Sequence, residues 1–168
     1  MRKQKGFSLI ELLIVVAIIL IIAAIAIPNL LKARIAANQA SAVGSLRTIV
    51  TAETNYQSTF NGASATLVAL GGAVGGCGVG VAPAIGAACL IDPVLANATT
   101  VATGKSGYFF TYAGVGAANA NGTFPGFTVN GDATIQNTTG DLHYFVDQSG
   151  VIRQNLAAPA TAADAALQ

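Results

Sequence analysis

The chain of 168 residues has no tryptophan, one methionine, one histidine and two cysteines, and only 9% of its residues are charged. An average soluble domain carries about 25% charged residues, so either the surface or the solvent of this protein is unusual. Eight basic side chains stand against seven acidic ones. Without a cationic surplus there is little to neutralise phosphates, and no nucleic-acid site is expected. The length fits one globular domain, or one domain with an appended element, and excludes a large multidomain enzyme. Phosphate-binding motifs fail as well. Gly104-Lys105-Ser106 imitates the end of a phosphate loop, but Thr99 stands where the loop needs glycine, and the glycine cluster over 71–80 contains no Gly-x-Gly-x-x-Gly. No enzymatic activity and no cofactor are expected.

Apolar residues, by contrast, are 53% of the chain and are concentrated at one end. From Leu12 to Ile27 every residue is Leu, Ile, Val or Ala, flanked by Phe7, Leu9 and Ile10 before and Leu30 and Leu31 after. That run is long enough to cross a hydrocarbon core of about 30 Å, and longer than the apolar core of a cleaved secretory signal. Arg2, Lys3 and Lys5 precede it. By the positive-inside tendency they hold the N-terminus in the cytoplasm, so that everything after Lys32 lies outside.

The helical signal continues beyond Pro28. Leu31, Ile35, Val43, Leu46, Val50, Tyr56 and Phe60 recur at sums of three and four, with Ile49 on the same side and Arg34, Asn38, Ser41, Arg47 and Thr51 elsewhere. The spacing predicts one helix over about 7–60, roughly 80 Å long and stopped at Asn61-Gly62. Pro28 inside it removes a backbone donor and crowds the preceding turn, which predicts a kink or local unwinding. From Asn61 to Lys105 the Gly-, Ala-, Val- and Thr-rich sequence specifies neither helix nor strand well, and short irregular elements are expected. Tyr108–Tyr112, Phe127–Val129 ending in an Asn130-Gly131 turn, and Leu142–Val146 joined through Asp147–Gly150 to Val151–Arg153 read as an antiparallel meander of three or four strands. The Ala-rich tail over 157–168 reads as flexible. The fold class is therefore α+β: a long N-terminal helix, part membrane span and part amphipathic, packed on a small antiparallel sheet. Expected boundaries are 1–6 for a leader, 7–31 for the apolar helix, 32–60 for the amphipathic helix, 61–156 for the head and 157–168 for the tail.

Cys77 and Cys89 form an even pair in a segment expected outside the cytoplasm, which suggests one disulfide. A metal site is the alternative, but His143 is the sole histidine and no third cysteine exists. His143 alternates within a strand and reads as a structural or surface residue. Asp132, Asp141 and Asp147 suggest at most a calcium loop, and no metal is expected. Asn97, Asn121 and Asn137 each begin an Asn-x-Ser/Thr triplet, which marks exposed loops. Glu11 is the one ionisable group in the apolar run. An acid at mid-span costs about 2.5–3.5 kcal/mol, so it either finds a cationic partner or, near the cytoplasmic end, snorkels to the headgroups.

Lys5-Gly6-Phe7-Ser8-Leu9-Ile10-Glu11-Leu12-Leu13, followed by the apolar run and Ala26-Ile27-Pro28, resembles the N-terminus of type IV pilin precursors. The resemblance covers about residues 1–60. It implies cleavage between Gly6 and Phe7 by a prepilin peptidase, N-methylation of Phe7, and a homo-oligomeric helical filament built by inner-membrane assembly machinery, with Glu11 and Pro28 as assembly residues. Glu11 would then pair with the new amine of Phe7. The precursor would be a single-pass inner-membrane protein, and the assembled subunit a component of a surface pilus serving adhesion, twitching motility or DNA uptake. More loosely, Asp147–Arg153 is similar to the C-terminal hairpin of some pilins. Leu20 stands where several pilins have glycine, and the cysteines lie mid-chain instead of near the C-terminus. A type II secretion pseudopilin and a membrane-anchored adhesion protein that never polymerises are the alternatives.

Overall fold

The computed structural model describes residues 7–72, 77 and 82–167. The leader expected over 1–6, with Gly6 at its cleavage junction, lies outside the described residues, as does most of the glycine cluster. The fold is α+β, with elements α1 (Leu9–Phe60), α2 (Leu67–Gly71), α3 (Pro93–Ala96), β1 (Tyr108–Val115), β2 (Gly126–Ala133), β3 (His143–Asp147), β4 (Arg153–Asn155) and β5 (Ala165–Ala166). Two compact units divide the chain at Arg34 and Ile35.

In the first unit the described residues are helical from Leu9 onward, and their large apolar side chains from Leu9 to Leu31 are exposed. The helix is unbroken at Pro28, so the unwinding expected there is not seen in the backbone pattern. Proline's missing N–H interrupts one helical bond, which residues of high helix propensity on both sides can bridge.

In the second unit, α1 buries Ala42, Leu46, Ile49, Glu53 and Tyr56, with Ser45 and Ala52 beside them. Steps of four and three residues put these side chains on one face. That stripe differs from the expected one. Val43, Val50 and Phe60 only flank the core, and Leu31 is exposed. The helix ends at Asn61, whose φ of 57° leaves the right-handed region and whose N–H still reaches the Gln57 carbonyl at 2.9 Å. The stretch expected to be irregular holds two short helices. Thr66 caps α2 by accepting from Ala69 N–H at 3.2 Å, and Asp92 caps α3 by accepting from Leu95 N–H at 3.3 Å with Pro93 next in line.

The sheet is an antiparallel meander in chain order, β1-β2-β3-β4-β5. Tyr108 and Phe110 of β1, Val129 of β2, and Tyr144 and Val146 of β3 join Leu46, Ile49 and Tyr56 in the core. Asn130-Gly131 is not the expected turn but the middle of β2, where Asn130 is opposite Phe145 and Gly131 opposite Tyr144 and Phe110. A Cβ at Gly131 would stand 3.2 Å from the Phe110 ring, so glycine serves close packing here instead of a turn. The tail expected to be flexible instead supplies β5, which pairs with β4, and carries Ala160, buried and accepting from Asn130 Nδ2 at 2.7 Å. Asn130 shares the sheet face of Phe145, so the tail lies over that outward face.

Candidate functional site

The site that the sequence points to is the start of α1. Phe7 is 70% exposed, and Glu11 sits in the first helical turn, also exposed. A negative charge there complements the partial positive charge of the helix N-terminus. Among the described residues the large apolar side chains after it stay exposed: Ile10, Ile14, Ile18, Ile21 and Ile25 are each at least half exposed, and the most apolar stretch of α1 has no buried residue. Such a surface cannot be left in water. Covering apolar surface gains about 25 cal/mol per Å², so a partner that packs on this helix is strongly favoured. Between Phe7 and Leu31 Glu11 is the one titratable side chain, so what this stretch can do is pack.

The second unit contains a buried polar cluster that sequence reading missed. Glu53, on the core stripe of α1, is fully buried. Its carboxyl accepts from the Ser64 hydroxyl, from Ser64 N–H at 3.3 Å and from the Tyr112 hydroxyl at 2.5 Å. Burial, and then the neighbouring Glu53 carboxylate, push the Tyr112 hydroxyl far above its ordinary value of 10.0. Three donors compensate the desolvation of one acid, tying α1 to the chain after it and to β1. The available signal was an acid at the 46-49-53-56 spacing.

The other candidates are placed as follows. Cys77 and Cys89 form a disulfide, with Cα atoms 5.5 Å apart, which excludes the metal alternative for these two sulfurs. His143 Nδ1 lies 2.6 Å from Asp132 Oδ1 on the outward face of the sheet. Asp147 closes its own turn, accepting from Ser149 N–H at 2.9 Å. The three aspartates suggested for a calcium loop are therefore not gathered, and among the described residues no group of three or more His, Cys, Asp or Glu side chains could hold a metal. Asn97 and Asn121 use their amides to bond Pro93 O and Phe60 O, at 2.8 and 2.9 Å. Asn137 sits exposed in a turn with φ 61°.

Comparison with known proteins bears on the first unit most directly. The family described as the prokaryotic N-terminal methylation motif matches residues 1–27. The type IV wide pilus major component PilA4 of Thermus thermophilus is 47% identical over 74 residues, which are 42% of this chain and 56% of that protein. The type IV major pilin protein PilA of Myxococcus xanthus is 48% identical over 54 residues, 32% of this chain and 24% of that protein. The chain thus spans about half the length of the first relative and about a quarter of the second. No solved structure matches. An exposed apolar helix behind the methylation motif and a helix-backed antiparallel sheet thus belong to a chain that is homologous, over the segments matched, to two type IV major pilins.

Proposed function

We propose that the protein is a structural subunit of a type IV pilus, held in the membrane as a precursor by the apolar half of α1 and polymerised through the same surface. The observation that carries this reading is the length of helix whose apolar side chains lack any cover within their own chain, directly behind the methylation motif. A lipid bilayer covers it in the precursor, and equivalent helices of other copies cover it in the filament. The basic leader places the N-terminus in the cytoplasm and the head outside.

Processing follows from the junction. A prepilin peptidase cuts between Gly6 and Phe7, and Phe7 is then N-methylated, which keeps the new amine charged. Loss of Arg2, Lys3 and Lys5 takes the formal charge from +1 to −2. The amine of Phe7 is the cation for Glu11 of a neighbouring copy, and their pairing sets the axial register as the apolar surfaces close. Pro28 supplies the point at which the helix can yield during packing. The Cys77–Cys89 bridge ties the glycine-rich segment to a head that forms the outer surface.

Electron microscopy of sheared surface fibres, with mass spectrometry of their main subunit, tests the reading. The expected result is long filaments made of this chain, beginning at a methylated Phe7. Filaments without it, combined with a head whose melting temperature falls when calcium is chelated, would replace the pilus by a secretion pseudopilus. A membrane-bound chain in cells without fibres of it would leave an anchored adhesion protein.

A further inference from the structure

Five aspartates lie in the second unit, and four of them are already engaged. Asp92 caps α3, Asp132 meets His143, Asp147 accepts from Ser149 N–H, and Asp164 accepts from Thr161 and Asn155. Asp141 is the exception: it is half-buried, yet only its backbone carbonyl accepts a hydrogen bond, from Gln136 Nε2 at 2.8 Å, and its carboxylate has no donor among the described residues. Its carboxylate oxygens are not among the buried atoms that lack a partner, so they reach solvent and are free to meet a cation of another molecule.

The complementary group is on α1. Arg47 is exposed, and the one ion pair among the described residues is that of His143 with Asp132, so the guanidinium is unpaired. It borders a groove of about 290 Å³ lined by Arg47, Thr48, Thr51, Ala52, Asn55 and Leu90. The Thr48 and Thr51 hydroxyls donate to their own helix carbonyls, at 3.0 and 2.9 Å. Their spent donors leave the guanidinium and the Asn55 amide as the groups able to meet an acid, while Leu90 offers an apolar wall.

Arg47 and Asp141 do not meet within one molecule. The turn before Asp141 is fixed to α1 at Asn38, whose Nδ2 donates to Thr139 O at 2.8 Å. Asn38 lies nine residues before Arg47, an axial offset of about 13 Å. A contact in which one copy's Arg47 takes the next copy's Asp141 joins two different surfaces and is therefore heterologous. Contacts of that type build rings where the rotation closes and open helical filaments where it does not, and the pilus reading requires the second.

Resting on the pilus reading, we propose that the groove at Arg47 is an interface between neighbouring copies and that its occupant is the turn carrying Asp141 of a second copy. A charge pair at such a contact mainly selects register and excludes misaligned neighbours, and repetition along a filament multiplies a modest pairwise effect.

The experiment is charge reversal and exchange in the full chain. Arg47→Glu and Asp141→Arg should each lower the yield of sheared filaments several-fold, and the double variant carrying both should restore it. Thermal unfolding and the intact Cys77–Cys89 bridge in each variant separate lost assembly from lost folding. Should a reversal fail to fold, the milder Arg47→Gln and Asp141→Asn should reduce yield alike, singly or together. Cysteines placed at 47 and 141 of one chain should give a ladder of covalent multimers on oxidation of filaments, which neither single cysteine gives. Full yield from the single reversals, no recovery in the exchange, or no ladder overturns the pairing. An unsubstituted chain that forms no filaments fails differently: it removes the pilus reading itself and this interface with it.

Discussion

The two halves of α1 share one helix and opposite fates. Between Leu9 and Leu31 the apolar side chains face outward on every side, whereas between Ala42 and Tyr56 a single stripe is sealed against sheet and loops. Leu46 is completely buried and Ile18 is 51% exposed, although both are aliphatic residues in regular helix. The difference teaches where each half obtains its stabilisation. The second half is held by contacts within the chain; on the proposed reading the first obtains its cover from lipid or from further copies. Substitutions should therefore sort cleanly into those that change assembly and those that change folding.

The sharpest break in that comparison is expected at Glu11. Glu11→Gln keeps the shape but leaves the Phe7 amine unpaired in an apolar filament core, where removing one partner of a buried pair costs about 3–5 kcal/mol. Filament yield should collapse while the melting temperature of the chain's head stays put; normal pili from this variant would refute the pairing. Leu46→Ala should do the reverse. Truncating a fully buried leucine costs about 2–5 kcal/mol, so a calorimetric scan should show a lowered transition, and an unchanged one would mean that the head does not rely on this stripe.

Glu53→Gln is expected to fall next. An amide retains one acceptor oxygen for the two hydroxyls but turns its NH₂ toward Ser64 N–H, and one unsatisfied buried donor costs about 1–3 kcal/mol. Denaturant unfolding measures this loss, which should be smaller than that of Leu46→Ala.

The gentlest test is alkaline titration. Burial raises the hydroxyls of Tyr112, Tyr108, Tyr144 and Tyr56 above the ordinary 10.0, with Glu53 adding to the rise at Tyr112 and Tyr56. A raised folded-state value favours the neutral phenol, so this contribution is complete below about pH 10 and is lost as pH climbs past it and the unfolded chain ionises. Unfolding midpoints measured from pH 8 to 11 should decline only above about 10. Tyr112→Phe should flatten part of the decline.

The first unit was more legible in the sequence than the head, for a physical reason. Phe7, Glu11 and the apolar run form one continuous signal, because a helix that is apolar on every side is specified by local composition alone. The head depends on partners distant in sequence. Asn130-Gly131 has the local chemistry of a turn, and only the Phe110 ring across the sheet explains why it is mid-strand. The core stripe of α1 is rich in small residues, Ala42, Ser45 and Ala52, which an apolar-spacing argument passes over in favour of Val43 and Val50. Glu53 was hidden because an acid on a core face is legible only once its donors, Ser64 and Tyr112, are brought in from 11 and 59 residues away. The tail over 157–167 has little apolar signal, and its order comes from Asp164 held by Thr161 and Asn155 and from pairing with β4.

The chain-order meander has a consequence for how the head is made. Because each strand pairs with the next one in sequence, the sheet is assembled from short loop closures, which are entropically cheap and fast. The long closures are those that join the sheet to α1, such as Asn38 to Thr139 across 101 residues and Glu53 to Tyr112 across 59. Docking of the helix therefore carries the largest loop-closure cost among these contacts. On the pilus reading, a helix held at a bilayer surface would restrict the search for that event, and the membrane would then serve as a template for the head.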